Sequence, residues 1–369
     1  MIFFRISVCS MLIAISTMPQ LAQADCGNSV ADLGEINSSA AGHYAMENAK
    51  EYPNSGWLNV LKYNVFMANN RAETIQARIS LSNVNKKMQC RLKYVDLVHD
   101  QPVDWENLTT DSFENEVKKF HSIAAILTDN LTNPAAPLFV TFSSASHNLL
   151  SAVTITVPSD LNSAGFVPVM MEYPGYGASM GRPSRENFQN AAVGLVKYLS
   201  KKFPHRSIFI LGHSIGGAVA LETGATVPQL VAGVISHATF INMPEASKDS
   251  KKYFLSDFIS PLLAKIGLPK ENWDAEINLT RLAEHQVPVL LLHGRNDASV
   301  NYRHLELLSK QVDRLKESYG TAFDATVESF DSTHEDIYAD ENYGFYTQIW
   351  KSIFAFTNSR LSLQKTQVQ

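Results

Sequence analysis

The chain has 369 residues, 45% of them hydrophobic and 18% charged, a balance that argues against general disorder. Its formal net charge of -5 gives no reason to expect a nucleic acid or an anionic membrane as partner.

The first 24 residues read as a cleavable export signal. Met1 to Arg5 carries one positive charge, Ile6 to Met18 is mostly apolar, and Ala22-Gln23-Ala24 matches a small-x-small cleavage site. The apolar stretch falls short of the about 20 residues that a transmembrane helix needs, so no integral span is expected after cleavage; the other reading is an uncleaved anchor. The mature protein is then secreted or periplasmic. Cys9 departs with the signal, leaving Cys26 and Cys90. Two cysteines in an oxidising compartment read as one disulfide, stabilising by roughly 4 kcal/mol in the chain-entropy picture. The other reading is two unpaired thiols.

Residues 25–112 read as an N-terminal extension. Its first part is rich in Ser, Ala, Gly and Asn, and short strand-like runs follow at Leu58 to Met67, Thr74 to Leu81 and Cys90 to Val98. The main domain spans 113–358, and 359–369 form a C-terminal tail. Within the main domain strand-sized apolar runs alternate with helical stretches. The runs are Ile123 to Leu127, Leu138 to Phe142, Val167 to Met171, Ser207 to Leu211, Val231 to Ser236 and Val287 to Leu292. Several are apolar at every residue, the pattern of strands covered on both faces. Phe188, Ala191, Ala192, Leu195 and Leu199 recur at helical spacing behind Ser184, a candidate N-cap. The expected fold is α/β, doubly wound, with a mostly parallel central sheet and helices on both faces. Chemistry in such domains gathers at the carboxyl ends of the strands.

One strand end stands out. Ser207 to Leu211 runs directly into Gly212-His213-Ser214-Ile215-Gly216-Gly217, and Ala218 to Ala225 reads as a helix. A serine in so tight a strand-turn-helix adopts strained dihedrals, and its neighbours two before and two after must be tiny. Ser214 is therefore the candidate nucleophile. A serine hydroxyl needs a base, usually a histidine held by a carboxylate. In this arrangement the acid follows the serine and the histidine comes last. Asp297 lies in the loop after Val287 to Leu292 and is the candidate acid, with Glu245 as rival. Two histidines lie beyond it. His304 falls inside the helical run Tyr302 to Leu315 and reads as a helix-surface residue. His334 sits in a polar loop before a final aromatic helix and is the candidate base. His213 and His293 read as supporting residues beside the site. The histidines lack metal-binding spacing such as His-Glu-x-x-His, so neither metal nor cofactor is expected.

At this point the residues resemble the α/β-hydrolase-domain serine hydrolases of the α/β-hydrolase superfamily. Glu172 to Ser184 resembles their D-x-R-G-x-G-x-S-x-G-x-P-S segment, with Glu172 for aspartate and Pro174 for arginine. Gly212 to Gly217 resembles their elbow, His293 to Asp297 their H-G-x-x-D acid loop, and Asp331 to Asp336 their histidine loop. The resemblance covers about residues 114 to 357. It implies an α/β-hydrolase fold with a small cap and acyl hydrolysis carried by Ser214, Asp297 and His334. The family's oxyanion loop, H-G-x-x-G, is replaced by Phe142-Ser143-Ser144-Ala145-Ser146. One oxyanion donor is then the backbone N–H of Ile215, and the second comes from Ser144 or Ser143.

The implied function is a serine hydrolase of carboxylic or lipid-like esters (EC 3.1.1) working through a covalent acyl-enzyme. Its partner is a small-molecule or lipid-like acyl substrate. The alternatives are a peptidase of the same fold and a non-catalytic binding protein on a hydrolase scaffold. The segment 242–286 is expected to supply the cap, and Met243, Tyr253, Phe254 and Phe258 line an acyl pocket or belong to the core.

Overall fold

The structure is a computed structural model that describes residues 92–96, 101–102, 123–127, 129–145, 156–174, 176, 184–249, 272–338 and 344–367. The signal segment 1–24, Cys26, Cys90 and most of residues 25–112 lie outside the described residues. So do Ser146, most of the Glu172 to Ser184 motif beyond Tyr176, and cap residues 250–271.

Nine described strands form one sheet: β1 (Leu92–Asp96), β2 (Gln101–Pro102), β3 (Ile123–Leu127), β4 (Leu138–Phe142), β5 (Val167–Glu172), β6 (Ile208–His213), β7 (Gly233–His237), β8 (Val289–Gly294) and β9 (Ala325–Phe330). Their spatial order is β2-β1-β3-β5-β4-β6-β7-β8-β9. The six strands from β5 to β9 in that order run parallel. The other three join through antiparallel pairings, β3 against β5, β1 against β3 and β2 against β1. β1 lies inside the segment read as an extension, yet it pairs with β3 over all five of its residues.

The helices are α1 (Thr156–Ser163), α2 (Arg185–Lys202), α3 (Ile215–Thr226), α4 (Met243–Asp249), α5 (Ala275–Glu284), α6 (Arg303–Tyr319) and α7 (Gly344–Gln367). Strand alternation divides them between two faces. Leu138, Val140 and Phe142 of β4 pack with residues of α2, α3, α5 and α6. Phe139 of the same strand joins Phe209, Leu211, Ile235, Leu290 and Leu292 under Leu161 of α1 and Ile349, Trp350 and Ile353 of α7. With both faces covered, β4 to β8 have no room for an alternating polar face, which is why they read as continuous apolar runs. Ser184 caps α2 as expected, its Oγ accepting from the Asn187 N–H at 3.1 Å. Helix α7 runs on through Gln367, taking up most of the residues read as a tail.

The chain winds from β4 to β5 on one side and then returns to β6 on the other side of β4. That reversal marks the switch point beyond the carboxyl ends of β4 and β6, the position at which parallel α/β sheets bind ligands. Ser143 and Ser144 follow β4 directly, and Ser214 follows β6. Among the described residues no helix is long and apolar enough to cross a membrane.

Candidate functional site

Ser214 occupies the turn between β6 and α3 with φ 58 and ψ −122. Few non-glycine residues hold a positive φ, and the strain persists only where the surroundings over-determine it. Here they do. The Ser214 N–H donates to the His237 carbonyl at 2.9 Å, and Thr239 Oγ1 donates to the Ser214 carbonyl at 2.8 Å. The two flanking glycines are required by space. A Cβ on Gly212 would stand 1.8 Å from the Gly216 carbonyl oxygen, and one on Gly216 would stand 2.1 Å from the Phe142 oxygen. The same Gly216 Cβ would meet the Ser143 oxygen at 2.6 Å. The loop after β4 therefore lies directly against the first turn of α3.

Both serines of that loop are buried, Ser143 at 8% and Ser144 at 2% exposure, and Ile215 opens α3 beside them. Tyr173, which follows β5, donates its hydroxyl to the Ser143 carbonyl at 3.0 Å. Across a trans peptide the Ser143 carbonyl and the Ser144 N–H point in opposite directions, so this bond fixes where the Ser144 N–H is aimed. Tyr173 is itself clamped by stacking on Phe188 of α2, ring centroids 4.1 Å apart.

Asp297 and His334 meet. His334 Nδ1 lies 2.7 Å from Asp297 Oδ2. Asp297 Oδ1 accepts the N–H groups of Ser299 and Val300, each at 2.8 Å. His293 Nε2 lies 3.3 Å from Asp297 Oδ2 and 2.9 Å from the Val300 carbonyl. Two acceptors on one ring nitrogen assign the proton of His293 to Nε2. Burial by itself would raise the Asp297 carboxyl. The hydrogen bonds from His293 and His334, the charge of His334 and the Val300 N–H together hold it well below the usual carboxylate range. Gly294 completes the junction, because a Cβ there would stand 2.3 Å from the Ser332 carbonyl in the histidine loop.

The His334 ring is also in edge-to-face contact with His213, centroids 4.5 Å apart, and His213 meets His237 in the same way at 5.1 Å. His213 and His237 are register partners across β6 and β7. A layer of buried imidazoles thus caps the carboxyl ends of β6, β7 and β8. The sequence reading did not include His237, although it closes an apolar strand as His213 and His293 do. Its ring nitrogens are buried with no hydrogen-bond partner among the described residues. Burial first, then His293 and His334, outweigh Asp297 and push its imidazole down to about 3.

Two expectations change. His304 is not a helix-surface residue: it has 0% exposure, with Nε2 3.1 Å from Asp249 Oδ2 and Nδ1 3.4 Å from the Ile241 N–H. It faces inward because the first turn of α6 packs on α4 and the loop after β7. The rival acid Glu245 also belongs there, pairing with Arg303 at 2.9 Å. Met243 packs against the core, while Tyr253, Phe254 and Phe258 lie outside the described residues.

The family model described as serine aminopeptidase, S33 (Hydrolase_4), matches residues 151–277, which include the elbow. The uncharacterized protein YfhR of Escherichia coli K12 is 25% identical over 192 residues, which cover 50% of this chain and 62% of that protein. Lysophosphatidylserine lipase ABHD12 of Danio rerio is 28% identical over 153 residues, covering 39% of this chain and 38% of that one. The chain thus spans about three fifths or less of the length of these relatives. A solved esterase of Pyrococcus furiosus superposes with a TM-score of 0.49 at 16% identity, covering 64% of this chain and 85% of its own. A mostly parallel sheet flanked by helices, a serine elbow after its central strand and a hydrolase family match over that elbow give this chain the α/β-hydrolase fold and make it similar to the α/β-hydrolase superfamily.

Proposed function

We propose that the protein is a serine hydrolase of carboxylic esters, lipid-like esters among them, with Ser214 as nucleophile, His334 as base and Asp297 as the acid that orients it. The observation that carries the reading is the 2.7 Å contact between His334 Nδ1 and Asp297 Oδ2, with the His334 ring against His213, the residue that precedes a serine held at φ 58. With Nδ1–H given to Asp297, the Nε2 lone pair of His334 is the one free to take the Ser214 proton. Ser214 attacks the acyl carbonyl, and the N–H groups of Ile215 and of Ser144 or Ser143 receive the oxyanion. The imidazolium then protonates the leaving alkoxide, and water resolves the acyl-enzyme with His334 as base again. The name of the Danio rerio relative supports a lipid-like ester.

The test is fluorophosphonate labelling of the purified chain, together with turnover of nitrophenyl esters of graded acyl length. Ser214→Ala is expected to abolish both, and labelling that persists in the variant rejects the assignment. A peptidase reading is favoured by the family description, serine aminopeptidase. Faster cleavage of aminoacyl nitroanilides than of short nitrophenyl esters would select it. Export with removal of residues 1–24 and a Cys26–Cys90 disulfide belong to the same proposal. Mass spectrometry of the exported chain with and without reduction tests them.

A further inference from the structure

We propose that His213, His334 and Glu335 form an inhibitory binding site for a divalent transition-metal ion of the zinc class. One ligand atom from each of the three lies within 4.8 Å of the others. His213 and His334 are buried at 2% and 7% exposure, and their rings touch. Two imidazoles and a carboxylate are a zinc donor set, and they leave a fourth tetrahedral position open. Imidazole nitrogen selects zinc, copper or nickel over magnesium and calcium, which prefer oxygen.

The surroundings of His334 fit this role. A metal-binding histidine gives its other ring N–H to a carboxylate, which fixes the tautomer and raises the basicity of the ligating nitrogen. Asp297 stands 2.7 Å from His334 Nδ1, so Nε2 faces the metal. The pair that activates a serine is, in the same tautomer, a carboxylate–histidine–metal relay. Ligands on tetrahedral zinc sit about 3.3 Å apart, given zinc–ligand bonds of about 2.0–2.1 Å. The cluster must therefore tighten by about 1.5 Å at most. Glu335 is exposed, so its side chain is free to swing toward the two imidazoles.

Occupancy consumes the one lone pair of His334 that the proposed mechanism needs. The ion therefore blocks proton abstraction from Ser214. The inhibitory half of the inference rests on the hydrolase reading, whereas metal binding does not.

The full chain, purified in chelator-treated buffer, is titrated with Zn²⁺ by calorimetry and against a chromogenic chelator. One ion per chain is expected, with no comparable binding of Mg²⁺. Glu335→Gln is expected to bind zinc at least tenfold more weakly. Asp297→Asn, which touches no metal, should weaken it about 10- to 100-fold through the lost carboxylate. Ser214→Ala should bind as the parent does. Ester hydrolysis by the parent should fall in proportion to occupancy and return with EDTA. Absence of stoichiometric binding overturns the site, as does affinity unchanged in both Glu335→Gln and Asp297→Asn. Hydrolysis that proceeds at saturating zinc also overturns it and leaves the hydrolase reading intact. Zinc binding with the expected variant pattern, in a chain that shows neither turnover nor probe labelling, supports the site and rejects the hydrolase reading.

Discussion

Replacing Asp297 with Asn removes one charge and almost no volume. The orientation of the new amide is dictated by what Asp297 now accepts. Its Oδ1 takes two backbone N–H groups at 2.8 Å, from Ser299 and Val300. The amide oxygen must occupy that position, because an NH₂ group there would face two donors. The NH₂ then takes the place of Oδ2, facing His334 Nδ1 at 2.7 Å and the Nε2–H of His293 at 3.3 Å. As a donor it forces the Nδ1 of His334 to be the acceptor, which moves the ring proton to Nε2. The base then presents an N–H to Ser214 where it should present a lone pair. A wrong tautomer in this constellation costs about 10⁴ in kcat, or about 5 kcal/mol of activation free energy. The assay is the initial rate on a short nitrophenyl ester, with far-UV circular dichroism to verify the fold and the labelling rate of Ser214 by fluorophosphonate as a second readout. A variant that keeps a kcat within tenfold of the parent would refute the assignment of Asp297 as the orienting acid.

Gly216→Ala puts a methyl group 2.1 Å from the Phe142 oxygen and 2.6 Å from the Ser143 oxygen, both of them backbone. The β4 loop must retreat from α3, and a displacement of about 1 Å at a reacting site costs about 10² in rate. kcat is expected to fall at least that far with about 1–3 kcal/mol lost in urea unfolding, and a parent-like rate would contradict the packing of this loop on the elbow. Acid sensitivity follows from His304, which burial pushes down to about 4, against Asp249 on one side and helped by Arg303 on the other. The unfolded chain binds its proton near 6.5, so it holds more protons than the native state between those values. Stability is therefore fully present above about 6.5 and is lost as pH falls toward about 4, with a slope from this one group of at most about 1.4 kcal/mol per pH unit. His304→Gln should flatten the pH dependence of urea midpoints between pH 7 and 5, and an unchanged slope would assign the effect elsewhere.

The local features of this protein were legible in its sequence. The elbow is a short-range construction: a fully apolar strand, two glycines demanded by backbone contact, and a helix that is buried almost all round. The strand, the helix and Gly212 follow from neighbours close in sequence, whereas Gly216 is demanded by the Phe142 and Ser143 carbonyls of the β4 loop. Asp297 and His334 could be singled out because strand ends and chain order restrict the choice. Their meeting, across 37 residues at 2.7 Å, is a tertiary fact. Strand β9 went unread because it is an edge strand, with Thr326 to Phe330 half-buried, and so lacks the apolar run that marks β4 to β8. The antiparallel course of β3 and its pairing with β1 were equally hidden, since apolar runs do not encode strand direction. His304 looked like a surface residue because helical periodicity says which residues share a face. What that face meets is decided by another element, here α4, brought alongside by the fold. The imidazole layer of His213, His237, His293 and His334 is the largest such case. Four histidines scattered over more than a hundred residues come together only because their strands lie side by side and the last loop folds over their ends.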